Sequence, residues 1–348
     1  MPTISQRGID MPASPIRKLV PLANRAKAKG TVVYHLNIGQ PDLATPEVAL
    51  RAAHHLDREV LEYSPSEGIL SFRKKLVEYY HKFNIDVCTD DIIITTGGSE
   101  AVFFSFMACL DPGDEIIVPE PAYANYMAFA ISCGAVIKTI SSTIDEGFAL
   151  PSVEKFEALI TPRTKAILIC NPNNPTGALY PKEILEQIVE LAREHELLIF
   201  ADEIYDRLVM DGKQHISIAS LAPDLCVVSF NGLSKSHLIA GYRCGWMCIS
   251  GDKSRAKGYI EGINLLSSMR LCANVPTQSV IPKALEMLDS TKEMLEPGGR
   301  VYEQREYIYN ALNDIPGVSA VKPEAAFYIF PKMDMKKFHI KDDEKFAL

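Results

Sequence analysis

Residues 229–243 read SFNGLSKSHLIAGYR and place one lysine, Lys235, and one arginine, Arg243, eight residues apart beside glycines and small hydroxyl side chains. A lysine in a crowded, partly apolar loop can lose its proton and form a Schiff base with an aldehyde. An arginine fork can bind a phosphate through two hydrogen bonds at once. The pattern suits an aldehyde cofactor that carries a phosphate. Taken alone, it is more typical of an ordinary strand-to-loop connection with two surface cations.

Two apolar runs earlier in the chain end in polar side chains. The run at 166–170 leads into NPNNPTG at 171–177, and the run at 197–201 leads into Asp202, with Tyr205 three residues later. Both runs are typical of buried strands, and ligands of open α/β sheets bind at the carboxyl ends of strands. An aspartate that closes a buried strand needs a cationic partner, which a protonated ring nitrogen would supply. A plain loop and a helix N-cap are the structural alternatives.

A third segment, TTGGSEA at 95–101, passes from a strand through two glycines into an amphipathic stretch. Free backbone N–H groups and the helix dipole at such a junction bind anions, although a Gly-Gly pair before a helix is usually only a tight turn. Five elements therefore follow one another: an anion cradle, an asparagine turn, a strand-end acid with a tyrosine, a lysine and an arginine. Their order favours one cofactor site over five unrelated features.

In that order, these elements resemble the class I, fold-type I aminotransferases that depend on pyridoxal 5′-phosphate, over nearly the whole chain. The resemblance implies an α/β fold with a mainly parallel seven-stranded sheet in a large domain and a smaller α+β domain. We predict an N-terminal arm with a small-domain contribution at 1–45, a large cofactor-binding domain at 46–280 and a small C-terminal domain at 281–348. Apolar runs predict sheet strands at 92–95, 116–119, 135–140, 166–170, 198–201, 226–230 and 245–249. The runs at 318–321 and 327–330, which follow helical residues up to Leu312, resemble the start of the small domain.

The resemblance assigns a catalytic role to three residues. Lys235 matches the lysine that binds the cofactor as a Schiff base and moves the substrate's Cα proton. Asp202 matches the carboxylate that pairs with the ring nitrogen, and Tyr205, together with Asn174, matches the groups that hydrogen-bond the ring's phenolic oxygen. Tyr123 matches the aromatic residue stacked on one face of the ring.

The remaining assignments concern the other ring face, the phosphate and the substrate. Ile204 would pack on the second face of the ring. The phosphate would lie on Gly98, Ser99 and Glu100, with Arg243 as its cation and Ser234 as a hydroxyl donor. Many relatives place a serine three residues before the lysine, whereas this chain has Gly232. Gly39, Asn174 and Tyr123 would contact the substrate, and Tyr63 would reach the phosphate of a neighbouring subunit, which implies a homodimer with shared active sites.

Within the class, the runs 230–235 and 267–276 are most similar to alanine (glutamate–pyruvate) aminotransferases. The expected reaction joins L-alanine and 2-oxoglutarate and gives pyruvate and glutamate. An aspartate, broad-specificity or aromatic aminotransferase and a pyridoxal-phosphate-dependent lyase on the same fold are alternatives. A transcription-regulator module is disfavoured because residues 1–45 are too short and too rich in proline for a winged helix. Arg270 would either approach the phosphate or substrate or lie at a helix end near the dipole.

Composition limits the partners. A net charge of −8 and a pI of about 5.6 argue against nucleic acid or an anionic membrane. Eight cysteines without a C-x-x-C pair predict free thiols in a reducing compartment. We find no leader peptide, membrane-length apolar run or metal motif, and expect a cytoplasmic protein. The family's C-terminal arginine, which binds the substrate's α-carboxylate, would lie beyond Leu348, so we expect the small domain to be incomplete in this sequence.

Overall fold

The computed structural model of the chain describes residues 3–12, 14, 17–55, 59–287 and 291–347. The strands in these ranges are β1 Ile92–Thr95, β2 Glu115–Glu120, β3 Val136–Ser141, β4 Thr164–Cys170, β5 Leu198–Asp202, β6 Val227–Gly232, β7 Gly245–Ser250, β8 Val318–Ser319 and β9 Lys332–Met333. The α-helices are α1 Gln6–Asp10, α2 Val20–Ala28, α3 Glu47–His54, α4 Leu70–His81, α5 Gly98–Cys109, α6 Asn125–Cys133, α7 Val153–Glu157, α8 Lys182–Glu194, α9 Leu233–Ser236, α10 Lys257–Met269, α11 Val275–Gln278, α12 Val280–Glu286, α13 Lys292–Leu295, α14 Arg300–Asn313 and α15 Asp343–Ala347.

Strands β1 to β7 form one sheet in the described part of the chain, in the order β1-β7-β6-β5-β4-β2-β3. Strand β7 is antiparallel to both of its neighbours, and every other pair is parallel. The predicted mainly parallel, seven-stranded sheet is confirmed, and each strand begins and ends within two residues of its predicted bounds.

The sheet is covered by helices on both faces, because alternate residues of the central strands enter two different apolar cores. In β4, Ile167 and Ile169 pack in one core with residues of α4, α8 and α12, and Leu168 packs in the other with residues of α5, α6 and α10. Parallel strands that are buried on both faces have a continuous apolar sequence, as this chain does. The polar residues that follow these strands therefore collect at one edge of the sheet.

A second, two-stranded sheet lies near the end of the described residues. Lys332–Met333 pairs with Val318–Ser319, and residues 327–330 form no strand. The preceding backbone is already engaged elsewhere, since the N–H groups of Glu324 and Ala325 both donate to the Gly177 carbonyl and the Ala326 N–H donates to the Leu208 carbonyl. These bonds hold the segment against the large sheet's loops and set its direction. The domain division stays a prediction, and Leu348 lies outside the described residues.

A search of the helices in the described ranges finds none that is both long enough and apolar enough to cross a membrane.

Candidate active site

Strand ends and one helix start bring the predicted residues to the same edge of the sheet. Strand β4 leads into the turn at 171–177, β5 ends at Asp202, and β6 leads directly into the short helix that carries Lys235. Since β4, β5 and β6 are neighbours in the sheet, their carboxyl ends are adjacent. Helix α5, which begins at Gly98, follows β1 and packs against β6 and β7.

Lys235 is partly buried, and its Nζ donates a 2.5 Å hydrogen bond to the carbonyl oxygen of Gly39. Burial, and then the charge of Arg243, lower the pKa of the Lys235 amine. Both effects disfavour the ammonium form, which prepares the amine to act as a nucleophile or base. The contact also joins the predicted N-terminal arm to the lysine.

Asp202 is buried at the end of β5 without an ion-pair partner among the described residues. Its carboxylate accepts a hydrogen bond from the Tyr126 hydroxyl at 2.5 Å and one from the Ile204 backbone N–H at 3.3 Å. Burial raises the pKa of the Asp202 carboxyl because the charged form loses its hydration. The sequence analysis did not predict Tyr126, although it lies only three residues after the predicted Tyr123.

Two polar side chains contact the Tyr205 hydroxyl. Asn174 donates to it from Nδ2 at 3.2 Å, and the Tyr328 hydroxyl lies 2.7 Å away. Tyr328 was not predicted, because it lies in an apolar run that indicates only part of the small domain. A Cβ atom at Gly39 would overlap the Tyr328 hydroxyl, so the glycine makes room for this tyrosine.

Tyr123 is partly buried and is fixed by its neighbours. Its ring meets the Tyr126 ring edge-on, with centroids 5.3 Å apart, and its hydroxyl accepts a 2.8 Å hydrogen bond from Asn125. A hydrogen bond with Ser99 also lowers the pKa of Tyr123, although burial has the larger effect and raises it. Two predicted residues from different segments, Tyr123 and Ser99, are thereby brought together. Ile204 packs against Gly232, since a Cβ atom there would lie 3.4 Å from the Ile204 Cδ1.

Glycines allow Arg243 and strand β7 to approach the start of helix α5. A Cβ atom at Gly97, whose φ is +76°, would overlap the Arg243 guanidinium, and one at Gly245 would lie 2.6 Å from the Gly98 nitrogen. Arg243 Nη1 donates to the Ala240 carbonyl at 2.9 Å and lies 3.5 Å from the Ser234 hydroxyl. The guanidinium therefore lies beside free N–H groups at a helix N-terminus, which is an arrangement that binds anions.

The same close packing explains the glycine at 232. A Cβ atom there would lie 2.7 Å from the Cys244 carbonyl oxygen and 2.9 Å from the Gly245 Cα. These are backbone atoms of the neighbouring strand region and cannot move as a flexible side chain could. The hydroxyl that many relatives carry at this position is excluded here by the approach of β6 and β7.

Glu100 lies in the first turn of α5, but its carboxylate is held by a cation of the same chain. It accepts a 2.6 Å bond from Arg270 Nη1 and a 2.8 Å bond from the Thr96 backbone N–H. Arg270, at the end of α10, also donates to the Ser66 carbonyl at 2.9 Å. Arg270 thus joins the anion cradle to the loop at 61–68.

Tyr63, in that loop, is 77% exposed, and among the described residues no hydrogen bond joins it to the rest of the predicted site. Its predicted role in a neighbouring subunit stays a prediction.

Comparison with known proteins identifies similar chains of known class. The model of the family "Aminotransferase class I and II" matches residues 31–347. The glutamate-pyruvate aminotransferase AlaA of Escherichia coli (strain K12) is 46% identical over 332 residues, which cover 94% of this chain and 81% of that protein. The alanine aminotransferase of Mycobacterium tuberculosis (strain H37Rv) is 43% identical over 335 residues, with 94% and 77% covered. A crystal structure of an aminotransferase from Escherichia coli matches with a TM-score of 0.95 and 43% identity, covering 99% of this chain and 86% of that one.

Proposed function

The chain belongs to the class I and II aminotransferase family, and from this premise we propose that it transfers the amino group of L-alanine to 2-oxoglutarate, giving pyruvate and glutamate. The observation that carries this choice of substrates is the 46% identity to a glutamate-pyruvate aminotransferase over 94% of the chain. The aspartate aminotransferase of Thermotoga maritima is 35% identical.

We further propose that the enzyme uses pyridoxal 5′-phosphate, and the described residues fit this group at both of its ends. Asp202 is a buried carboxylate with no cation paired to it in the described ranges, and a protonated ring nitrogen would supply that cation. Arg243 and the glycine-lined start of α5 suit a phosphate. Asn174 and Tyr205 offer hydrogen bonds for the ring's phenolic oxygen. When bound, the cofactor supplies a ring that accepts the electrons left at the substrate Cα after its proton departs.

Lys235 would remove the proton from the substrate Cα. Its amine has a lowered pKa, caused chiefly by burial, so a neutral Nζ is available to take the proton from the substrate Cα. The Gly39 carbonyl oxygen, 2.5 Å from Nζ, then holds the ammonium that results. Asp202 and Tyr126 keep one end of the site fixed, which limits the reorganisation needed as charge moves.

A cytoplasmic homodimer with shared active sites completes the proposal. Apolar side chains are exposed on and after α10 and in the loop at 61–68, among them Leu265 (65%), Met269 (71%), Leu271 (55%) and Tyr63 (77%). Exposed apolar side chains of this size favour contact with another subunit. All the cysteines are free thiols, which is typical of a reducing compartment.

The decisive experiment measures pyruvate formed from L-alanine by purified, cofactor-loaded protein with and without 2-oxoglutarate. We expect turnover only with the acceptor, and a lower kcat/KM for L-aspartate than for L-alanine. Lys235→Ala should lose the borohydride-fixed adduct on the 235 peptide and reduce kcat by at least about 10³-fold. Lys155→Ala, at an exposed lysine of α7, is the matched control. Sustained release of pyruvate and ammonia from L-serine without an acceptor, by loss of water across the Cα–Cβ bond, would instead identify a lyase.

A further inference from the structure

The hydroxyl of Tyr205 has one proton to donate and two protein neighbours. Tyr205 is 2% exposed, and its oxygen accepts the Asn174 Nδ2 bond at 3.2 Å. The second neighbour is the Tyr328 hydroxyl at 2.7 Å, and either oxygen of that pair can be the donor. If Tyr205 donates to Tyr328, its proton is used within the protein. If Tyr328 donates to Tyr205, the Tyr205 proton is free for a ligand.

Backbone hydrogen bonds of the residues just before Tyr328 hold it beside Asn174 and Tyr205. The N–H groups of Glu324 and Ala325 bond the Gly177 carbonyl, at the end of the turn that carries Asn174. The Ala326 N–H bonds the Leu208 carbonyl, three residues after Tyr205. The Tyr328 ring also meets the Tyr205 ring edge-on, with centroids 5.7 Å apart. One set of backbone hydrogen bonds therefore fixes Asn174, Tyr205 and Tyr328 relative to one another.

The two tyrosines keep their protons at neutral pH. Burial raises the pKa of Tyr205 well above its usual value, and burial raises the pKa of Tyr328 to about 12. Each hydroxyl therefore carries a donor. Gly39 adds a steric observation, because its missing Cβ leaves the space in which the Tyr328 hydroxyl lies.

We propose that Tyr328 is a positioning residue: it donates its proton to the Tyr205 oxygen and thereby directs the Tyr205 proton toward the phenolic oxygen of the bound cofactor. This inference rests on the proposed cofactor. The chain Tyr328 to Tyr205 to ring oxygen strengthens the last bond, since a hydroxyl that accepts a hydrogen bond becomes a better donor. Tyr328 itself does not touch the reacting atoms in this scheme.

The test is a spectrophotometric pH titration of the Lys235-bound cofactor in the intact enzyme. A donor to the phenolic oxygen stabilises its ionised form, so loss of that donor raises the midpoint of the titration. Tyr205→Phe should raise the midpoint by about 1–2 pH units. Tyr328→Phe should raise it by about half a unit, and should add almost nothing when combined with Tyr205→Phe.

The sign and the additivity of the shift decide the outcome. A lowered midpoint in Tyr328→Phe would mean that Tyr328 accepts the Tyr205 proton, and an equal shift in both backgrounds would mean that it acts independently; either overturns the role. Tyr307→Phe, at a 76% exposed tyrosine of α14, is the control and should not shift the midpoint. If Tyr328→Phe does not fold, Tyr328→Leu removes the same hydroxyl and should give the same rise.

Failure of this inference and failure of the proposed cofactor have different signatures. An unaltered enzyme that forms no absorbing adduct at Lys235 overturns the cofactor and, with it, the role of Tyr328. An adduct whose midpoint does not rise in Tyr328→Phe overturns the role of Tyr328 alone.

Discussion

Two pairs of charged residues in and beside the candidate site differ in whether their charges are already matched. Glu100 and Arg270 neutralise each other at 2.6 Å, and their side chains are 18% and 13% exposed. Asp202 and Arg243 have no ion-pair partner of opposite charge within the described residues, and Asp202 is buried. An uncompensated buried charge costs several kcal/mol, and removal of one partner from a buried pair destabilises the fold for the same reason. The contrast favours a ligand of opposite charge for the buried Asp202, while the exposed Arg243 guanidinium is available to bind an anion and Glu100 and Arg270 are already paired with each other.

The largest effect in this comparison is expected from Asp202→Asn. The variant keeps the shape of the side chain and a partner for Tyr126 but removes the charge that a protonated ring nitrogen needs. Loss of one partner of a buried charge pair costs roughly 3–5 kcal/mol, so exchange of the alanine Cα proton should slow by about 10²–10⁴-fold. The exchange is measured by NMR in deuterated water with the cofactor-loaded enzyme.

Asp86→Asn is the matched control for that variant, because Asp86 is fully exposed. It should leave the exchange rate unchanged. An exchange rate in Asp202→Asn within about tenfold of the unaltered enzyme would contradict the role of the carboxylate.

Stability should change in opposite directions for the two carboxylates in the cofactor-free protein. Glu100→Gln leaves the largely buried Arg270 without its counter-charge and should lower the free energy of unfolding by about 1–3 kcal/mol. Asp202→Asn removes a carboxylate that is costly to bury and should raise it. Denaturant titrations of both variants and of the unaltered protein measure the two signs, and a loss of stability in both variants would contradict the comparison.

The Asp202 effect should depend on pH. The folded-state pKa of Asp202 is raised above its ordinary value of 3.8, so the folded protein binds the proton more readily than the unfolded chain. The stability that this proton contributes is complete below the ordinary pKa and is lost as the pH rises through the raised pKa. The advantage of Asp202→Asn over the unaltered protein should therefore grow with pH across that range. The free energy of unfolding of Glu100→Gln, measured at the same pH values, serves as the reference.

The sequence predicts the sheet and the charged residues of the site for one reason. Apolar runs with sharp polar ends, such as the runs that end at Asp202 and before the turn at 171–177, encode buried parallel strands, and the polar residue after each run has only one edge of the sheet to occupy. The sequence identifies Lys235, Asp202 and Arg243 as site candidates because a charge beside glycine or at the end of an apolar run is unusual.

The sequence does not identify Tyr126 and Tyr328 as site residues. A tyrosine among apolar residues has the same pattern whether its hydroxyl bonds a solvent molecule or a buried carboxylate. The bonds from Tyr126 to Asp202 and from Tyr328 to Tyr205 join residues 76 and 123 positions apart, so only the folded chain defines them. The backbone bonds of Glu324, Ala325 and Ala326 likewise depend on distant segments, and for that reason the apolar run at 327–330 does not by itself indicate that Tyr328 lies at the site.

The smallest effect, on cofactor affinity, is expected from Ser234→Ala. This variant tests an uncharged contact beside Arg243, whose charge has no partner among the described residues. The Ser234 hydroxyl lies 3.5 Å from Arg243 Nη1, at the outer limit of a hydrogen bond, whereas Arg243 brings a full charge to the cradle. Ser234→Ala should weaken pyridoxal 5′-phosphate binding by less than about threefold, and Arg243→Met by on the order of 10²-fold. Calorimetric titration of the cofactor-free protein measures both, with Ser152→Ala at an exposed serine as the control. A tenfold loss of cofactor affinity in Ser234→Ala would contradict this expectation and show that the Ser234 hydroxyl binds the phosphate directly. That hydroxyl would then replace the one that a serine at position 232 would supply.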